Sequence, residues 1–437
     1  MLHQLKLRYI QSAKANPAWV ILLLVAILAI GLRLIGSSIF QIPATVYITV
    51  LLAFATIIAA RKFHFTILTP FWGAFIIVAL ISIIVNRPPI EFQAWQRLLA
   101  FTITTLAIGP AITSPLLSRF RHYLWNAFMI GFLIVALISI IMLIIETLQT
   151  GELPSPFGGI YGHRMASALT SVIPAIWLIY LFINYKYHIA LQIPIVVIAL
   201  GCLLLTCLGG SRIALLSGTI AIIYLIISAN HQCRPRVYAF LCVIAGCTLL
   251  LFIPAIRHTV LSVIEHKFII GNVNDSIIFS RDTLWSARLL EFRASPIVGV
   301  GFASETLNTT LFDIFPYVPS LPGIIEPGSA YLSILSQTGV LGAICLLPIF
   351  ILPLLPAKIT SLLIPGTSRP HTASNTYHPT SHKSRTLYKA VFIFLLFVGI
   401  TEGYLLAVGN TFCLLFWLTT TLIYNGIFNS LNHKSNN

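Results

Sequence analysis

Residues 127–145 read AFMIGFLIVALISIIMLII, and this stretch decides the class of fold. It contains no charged side chain and matches the ~20 apolar residues that an α-helix needs to cross the apolar core of a bilayer. Apolar residues continue on both sides, so that the whole run covers residues 122–148. We therefore predict a transmembrane helix here.

The composition of the whole chain extends this prediction. Of its 437 residues, 58% are hydrophobic and only 8% are charged, and the mean hydropathy is +0.95. A soluble domain carries roughly 25% charged residues. Because so few charges cannot cover a protein surface in water, we expect lipid to be the solvent for most of this chain.

Apolar runs of similar length recur along the sequence and predict an all-α, polytopic membrane protein. We expect about 12 transmembrane helices and a large, partly helical loop on the outer side. The runs fall near residues 18–36, 43–60, 66–85, 93–112, 122–148, 164–183, 189–207, 211–228, 236–255, 329–353, 387–407 and 410–428.

Two longer polar segments divide the predicted helices. Residues 1–255 would hold helices one to nine, residues 256–328 the large outer loop, and residues 329–355 helix ten. Residues 356–386 are rich in Ser, Thr, Pro and His and predict a flexible inner linker before the last two helices in residues 387–437. A loop as long as 256–328 inside a compact protein is usually functional.

The distribution of charge predicts the orientation of the chain. With both termini in the cytoplasm, most of the 26 basic residues lie in inner segments, as cytoplasmic loops of membrane proteins require. All 11 acidic residues, from Glu91 to Glu402, then fall on the outer half. Membrane topology thus accounts for the net charge of +15, and we expect no nucleic-acid partner.

Cofactor and metal sites are not expected. The chain has no P-loop, no dinucleotide-binding motif and no metal-ligand spacing of His, Asp or Glu. Its seven cysteines are not clustered in polar surroundings, as a disulfide framework or zinc site would require. They are Cys202, Cys207, Cys233, Cys242, Cys247, Cys345 and Cys413.

Arginines on the outer side are the strongest candidates for ligand binding. A guanidinium group holds phosphate oxygens in pairs and keeps its charge, which suits a lipid-linked diphosphate arriving from the bilayer. Pairing with Glu291 or Asp282, or contact with lipid headgroups, is the alternative for each of them. The five arginines are Arg164, Arg212, Arg281, Arg288 and Arg293.

Residues 280–293 have helical spacing, and Ser280 is a candidate cap for the start of the helix. Arg281, Trp285 and Arg288 would share one face, at positions i, i+4 and i+7. This face is a candidate substrate-binding surface. Leucines and Phe292 would occupy the opposite, apolar side.

Two further residues are candidates for acid–base chemistry. Glu326 lies where the long loop re-enters the membrane and would be a general base if apolar surroundings raise its pKa, or a helix cap if they do not. His163 precedes Arg164 at a helix start and is either a base or a structural hydrogen-bonding residue.

Segments that occur in one order resemble a known family. They are GGIYGHRMA (158–166), GSRIAL (210–215), SRDTLW (280–285) followed by SPIVGVGF (295–302), and SAYLSILSQTGVLG (329–342). In this order they resemble the O-antigen ligase and O-antigen polymerase superfamily of bacterial membrane glycosyltransferases. The resemblance implies a GT-C-like architecture.

The resemblance implies a function. Family members transfer a glycan from an outward-facing polyprenyl diphosphate to an acceptor sugar or lipid core at the bacterial inner membrane, without a metal. By resemblance, Arg212 and Arg281 would hold the diphosphate and stabilise charge on the leaving group. The ligases carry a histidine before the re-entering helix, where this chain has Gly328, and Glu326 is the substitute candidate. This departure favours a polymerase or related polysaccharide-transferring member over a strict ligase.

Two other classes of function remain open at this point. A flippase or other transporter of lipid-linked glycan would also have about 12 helices with prolines inside the membrane. A non-catalytic family member would explain the missing histidine.

Overall fold

A computed structural model describes residues 18–39, 43–59, 63–154, 157–185, 187–229, 233–249, 279–304, 328–356 and 382–434. Most of the predicted outer loop and inner linker lies outside these ranges. The first helices are α1 (Ala18–Ile39), α2 (Ala44–Ala59), α3 (Thr69–Asn86), α4 (Ala94–Ile108), α5 (Pro115–Thr150), α6 (Arg164–Asn184) and α7 (Ile189–Gly209). They are followed by α8 (Arg212–Ile227), α9 (Arg234–Leu249), α10 (Phe279–Ala294), α11 (Ala330–Ile351), α12 (His382–Val398) and α13 (Thr411–Lys434).

The other regular elements are short. Strand β1 (His64–Phe65) pairs antiparallel with β2 (Ile112–Thr113), and 3₁₀ turns cover Ile90–Phe92 and Gly159–Tyr161. The prediction of an all-α membrane protein is confirmed for the described residues. Each predicted apolar run overlaps one helix, and α10 is the additional amphipathic helix of the outer loop.

Five helices, α3, α5, α6, α7 and α11, are long and apolar enough to cross a membrane. Shorter apolar helices occur in α1, α2, α8 and α13. A total of about 12 spans therefore stays a prediction.

The last pair of helices is more sharply separated than its apolar sequence predicts. Helix α12 ends at Val398, and residues 399–410 form turns instead of continuing the helix to residue 407. The turn is held by neighbours, because the Gly399 carbonyl accepts a hydrogen bond from the Ala330 amide at 2.9 Å. At the other end of the turn, Gly409 has a φ of +91°.

The surface of α5 is typical of contact with lipid. Isoleucines at helical spacing leave 39–56% of their side chains exposed along one face. A water-soluble protein would cover such a stripe. The helix is ~54 Å long at 1.5 Å per residue, which exceeds the ~30 Å apolar core of a bilayer. The exposed residues are Ile130, Ile134, Ile138, Ile141 and Ile145.

The chain divides into two compact units, which we call unit 1 and unit 2. Unit 1 comprises Met1–Phe128, Thr283–Ser381 and Gly399–Asn437, and unit 2 comprises Met129–Asp282 and His382–Val398. Sequence position alone does not predict this division, because both units combine segments that are far apart in the chain.

An aromatic cluster forms the centre of unit 1. Phe101 of α4 lies with its ring centroid 5.7 Å from Phe75 of α3, 5.7 Å from Phe302 and 5.6 Å from Trp417 of α13. All four rings are 3% exposed or less. Phe302 belongs to the SPIVGVGF segment, so this motif contributes to the core and carries no ligand-binding side chain at that position.

Two of the family-like segments are joined through their backbones in unit 1. The amide of Val300 donates to the Ser336 carbonyl at 2.8 Å, and the amide of Val340 donates to the Pro296 carbonyl at 2.8 Å. Gly339 interrupts helical geometry in α11 with φ +65° and ψ −168°. A Cβ atom on Gly339 would lie 2.2 Å from the Ile297 carbonyl oxygen, so only glycine allows this approach.

A buried arginine stabilises the C-terminal end of α4 in unit 1. Arg121 is fully buried, and its Nε donates to the Ala107 carbonyl at 3.0 Å. Its Nη2 donates to the carbonyls of Gly109 at 2.7 Å and Ile112 at 3.0 Å. A cation at a helix C-terminus satisfies carbonyls that have no partner within the helix. This arginine, which we assign to the inner side by topology, therefore also has a structural role.

Helix α6 is the centre of unit 2, with α7, α8 and α12 packed against it. Small residues allow close approach between these helices, as is usual in membrane proteins. A Cβ atom on Gly218 of α8 would lie 2.8 Å from Val172 of α6. This packing fixes the start of α6 relative to the turn between α7 and α8, where two of the candidate arginines lie.

Candidate functional site

The first candidate arginine opens helix α6 in unit 2. A 3₁₀ turn at Gly159–Tyr161 precedes the helix, and Gly159 and Gly162 both have positive φ. His163 is the N-cap residue, and its Nδ1 accepts from the Ala166 amide at 3.4 Å. Of its two predicted roles, the structural one is therefore present. The Arg164 side chain is exposed.

The second candidate arginine opens helix α8. Gly210 ends α7 in the left-handed conformation, with φ +68°, and so turns the chain sharply. Ser211 is the N-cap residue, and its hydroxyl accepts from the Ala214 amide at 3.4 Å. Arg212 follows as the first helical residue, with an exposed side chain.

These two helix starts lie side by side. A Cβ atom on Gly209 would lie 2.8 Å from the Arg164 carbonyl oxygen and 2.8 Å from the Ala168 Cβ. The Phe157 amide also donates to the Leu208 carbonyl at 3.3 Å. The structure thus brings together the segments GGIYGHRMA and GSRIAL, which are about 50 positions apart in the sequence.

The arrangement is suited to an anion. Both α6 and α8 direct their N-terminal amides, which carry partial positive charge, toward the same end of unit 2. Each helix begins with an arginine, so two guanidinium groups add full charge at that end. A diphosphate, with two neighbouring groups of anionic oxygens, matches two such positive centres.

Two other candidates are described only in part. Arg281 belongs to α10, but its side chain lies outside the described residues, as does all of Glu326. The sequence predicted Ser280 as the cap of α10. The helix begins at Phe279, so Ser280 lies inside it and is not its N-cap residue. The roles of Arg281 and Glu326 stay predictions.

Arg288 of α10 lies in unit 1 and is buried. Its Nη1 is 2.9 Å from Oε2 of Glu291, and the two side chains are 1% and 2% exposed. This is the carboxylate pairing that the sequence offered as the alternative to ligand binding. A buried pair of this kind supports the local fold, because removal of either partner leaves an uncompensated charge.

Trp285 and Gly328 form a second link in unit 1. The indole Nε1 of Trp285 donates to the Gly328 carbonyl at 3.2 Å. Gly328 has a φ of +66°, and a Cβ atom there would lie 2.8 Å from the Leu284 Cβ. At the position where the ligases have histidine, the backbone of this chain is therefore shaped for glycine.

A pocket of about 720 Å³ in unit 1 was not predicted from the sequence. Its walls come from α2, α4, α11 and the turn after α12, and its polar lining includes Gln93, Gln96, Arg97, Ser333 and Gln337. The sequence held one indication of this pocket, since two of its lining residues, Ser333 and Gln337, belong to the family-like segment SAYLSILSQTGVLG. Gln93 and Gln96, at the start of α4, belong to no sequence pattern that would identify them as pocket residues.

Comparison with known proteins adds one match. No curated protein matches the chain. Residues 194–347 match the family described as O-antigen ligase. This range contains GSRIAL, α10 and the joined segments around Gly299 and Gly339, and it confirms the resemblance found in the sequence. The match covers about a third of the chain and supports its membership of the O-antigen ligase/polymerase family.

Proposed function

We propose that this protein transfers a glycan from an outward-facing polyprenyl diphosphate carrier to an acceptor sugar during surface polysaccharide assembly, without a metal. The observation that carries the proposal is the adjacency of Arg164 and Arg212 at two neighbouring helix N-termini. Family membership supports a role in polysaccharide assembly of the polymerase or ligase type. The site would face the outer side of a bacterial inner membrane, with both chain termini in the cytoplasm.

Each candidate residue has a distinct role in this proposal. Arg164 and Arg212 hold the diphosphate, and Arg281 joins them from the outer loop. As the glycosyl bond breaks, negative charge builds on the leaving diphosphate, and the guanidinium groups stabilise it most strongly in the transition state. Glu326 takes the proton from the attacking acceptor hydroxyl. His163 positions Arg164 by capping α6. Trp285 contributes to the substrate-binding face of α10, whereas Arg288 supports the fold of this helix through its buried pair with Glu291.

The test is glycan transfer in cells that lack the native gene. Arg212→Ala should lower transfer by about 10²- to 10³-fold, the usual effect of losing one group that stabilises transition-state charge. Arg212→Lys should not restore it, because an ammonium group cannot hold two oxygens in a planar fork. Arg87→Ala is the matched control, since Arg87 is also exposed and predicted on the outer side but is not a candidate for ligand binding.

The outcome separates this proposal from its alternatives. Normal polysaccharide yield and length in the Arg212→Ala variant, at equal protein level, would contradict it. Purified protein in liposomes that moves lipid-linked glycan across the bilayer, but never joins two glycans, would indicate a transporter.

A further inference from the structure

The pocket in unit 1 has a lining of two kinds. One part is apolar and comes mainly from α2, α4 and the turn between α12 and α13, with Val46, Val50, Leu99, Leu406 and Val408. The other part is polar, with the side chains of Gln93, Gln96, Arg97, Ser333 and Gln337. Its volume of about 720 Å³ lies in the range of small-molecule sites. The ligand that fits such a lining is amphipathic.

The hydroxyl of Ser333 points to a missing hydrogen-bond partner. Ser333 is 3% exposed, and within the described part of the chain its Oγ has no hydrogen-bond partner. Buried polar groups in proteins are nearly always paired, either with protein or with an ordered small molecule. Because Ser333 lines the pocket, a ligand there would supply the partner.

Backbone strain is concentrated at the same pocket. Gln93 has a φ of +50° and Ala303 a φ of +55°, and both line the pocket. Left-handed conformations are costly for residues with a side chain, and they persist where the surroundings enforce them. At Ala303 the enforcing contact is visible, since its amide donates to Gln337 Oε1 at 3.0 Å.

The same contact defines what Gln337 offers to a ligand. Its Oε1 atom already accepts a hydrogen bond from the Ala303 amide. The Nε2 amino group of the side chain is therefore the group that Gln337 presents to a ligand, as a donor. Gln93 and Gln96 add amide groups that both donate and accept, and the Ser333 hydroxyl does the same. Hydroxyl groups of a sugar also donate and accept, so this lining matches them in kind.

A diphosphate is a poorer match for this pocket. Among the described residues of its lining, Arg97 alone is charged, whereas the helix starts at Arg164 and Arg212 offer two guanidinium groups. Sugar rings have one apolar face and a polar rim, which corresponds to the two kinds of lining. We propose that this pocket binds a sugar residue of the glycan, an inference that rests on the proposed function and names a second substrate subsite for it.

Photo-crosslinking of full-length protein in nanodiscs tests this proposal. The probes are decyl glycosides with a diazirine on the alkyl chain and a hexose, N-acetylhexosamine, deoxyhexose or hexuronic acid head group. At least one of them should label peptides of α2, α4 or α11, and the matching free sugar should displace it. Gln96→Leu and Ser333→Ala should each lower labelling several-fold, whereas Gln149→Leu, at an exposed position in unit 2, should not.

The result also distinguishes this proposal from the transfer reaction. Labelling needs no chemistry, so the Arg212→Ala variant should be labelled as strongly as the wild type. A wild-type protein that is labelled but shows no transferase activity would contradict the proposed function alone. Labelling that no free sugar displaces, or that only added phosphatidylglycerol displaces, would overturn the sugar subsite and indicate a lipid site.

Discussion

The indole Nε1 of Trp285 donates a hydrogen bond to the carbonyl of Gly328 at 3.2 Å, and this bond ties α10 to the chain just before α11. Gly328 is held there with φ +66°. Its Cα faces Leu284 so closely that a Cβ atom would lie 2.8 Å from the Leu284 Cβ. Conformation and packing therefore both select glycine where relatives carry their histidine.

Replacing Gly328 should destabilise the protein without adding ligase activity. Gly328→Ala would cost about 1–2 kcal/mol for the left-handed conformation alone, and contact with Leu284 adds to this. Gly328→His should lower the stability further, because the larger histidine side chain extends from the same crowded Cβ position. Thermal unfolding of the purified variants in detergent measures the effect.

Gly162→Ala is the control for this prediction. Gly162 has a similar φ of +63°, but a Cβ atom there would meet nothing within 4 Å. The difference in melting temperature between the two alanine variants thus reports the Leu284 contact. A Gly328→His variant that melts like the wild type and gains transfer to a lipid core would show that this backbone accepts the histidine.

The two arginines at the starts of α6 and α8 should act as one site. If Arg164 and Arg212 hold the same diphosphate, the double alanine variant should lose less activity than the product of the two single losses. Transfer rates of wild type, both single variants and the double variant, at matched protein levels, give the coupling. Strictly multiplicative losses would mean that the two side chains act independently and would argue against a shared ligand.

Local sequence features predict the helices well, because a helix in lipid needs only length and apolar residues. The turns at Gly162 and Gly210 also follow from sequence, since a glycine before a helix start is a local signal. The pocket cannot be predicted from the sequence in this way, because its lining depends on which helices pack against one another. Gln93 and Gln96, at the start of α4, lie about 240 positions from Gln337 in the sequence. Gln337 belongs to a family-like segment, but that segment does not show which helices it meets.

The roles of charged residues are the other feature that can be predicted only in part from the sequence. Arg121 counts toward the inner side in the predicted topology, but only the structure shows it bound to four carbonyls at the end of α4 and in β2. Arg288 has the helical spacing of a ligand-binding residue, yet it is buried against Glu291. The sequence predicts the side of the membrane on which such a residue lies, whereas the partner of its side chain depends on tertiary packing.

The ion pair of Arg288 and Glu291 can be tested by exchange. Arg288→Ala and Glu291→Gln should each destabilise the protein by about 3–5 kcal/mol, because each leaves a buried charge without its partner. The exchanged variant, Arg288→Glu with Glu291→Arg, restores a pair and should recover part of the stability. Melting temperature and transfer activity are measured together. A stable exchanged variant that has lost transfer would support a substrate contact for Arg288, whereas recovery of both would support a structural role.

The joint between residues 295–302 and α11 should not tolerate a side chain at Gly339. Alanine there would require φ +65° and would bring its Cβ to 2.2 Å from the Ile297 carbonyl, so the backbone of one segment must move away from the other. Because Val340 and Val300 form the hydrogen bonds across this joint, we expect them to be lost as well. Gly339→Ala should therefore fail to accumulate as a monodisperse protein in detergent, as judged by fluorescence-detected size exclusion.

Gly73→Ala is the control for this prediction. Gly73 lies inside α3 with open space around it, so this variant should accumulate normally and gain up to about 1 kcal/mol of stability from the better helix propensity of alanine. Equal yields and melting temperatures for the two variants would mean that the joint is loose and that the glycine is not required for it.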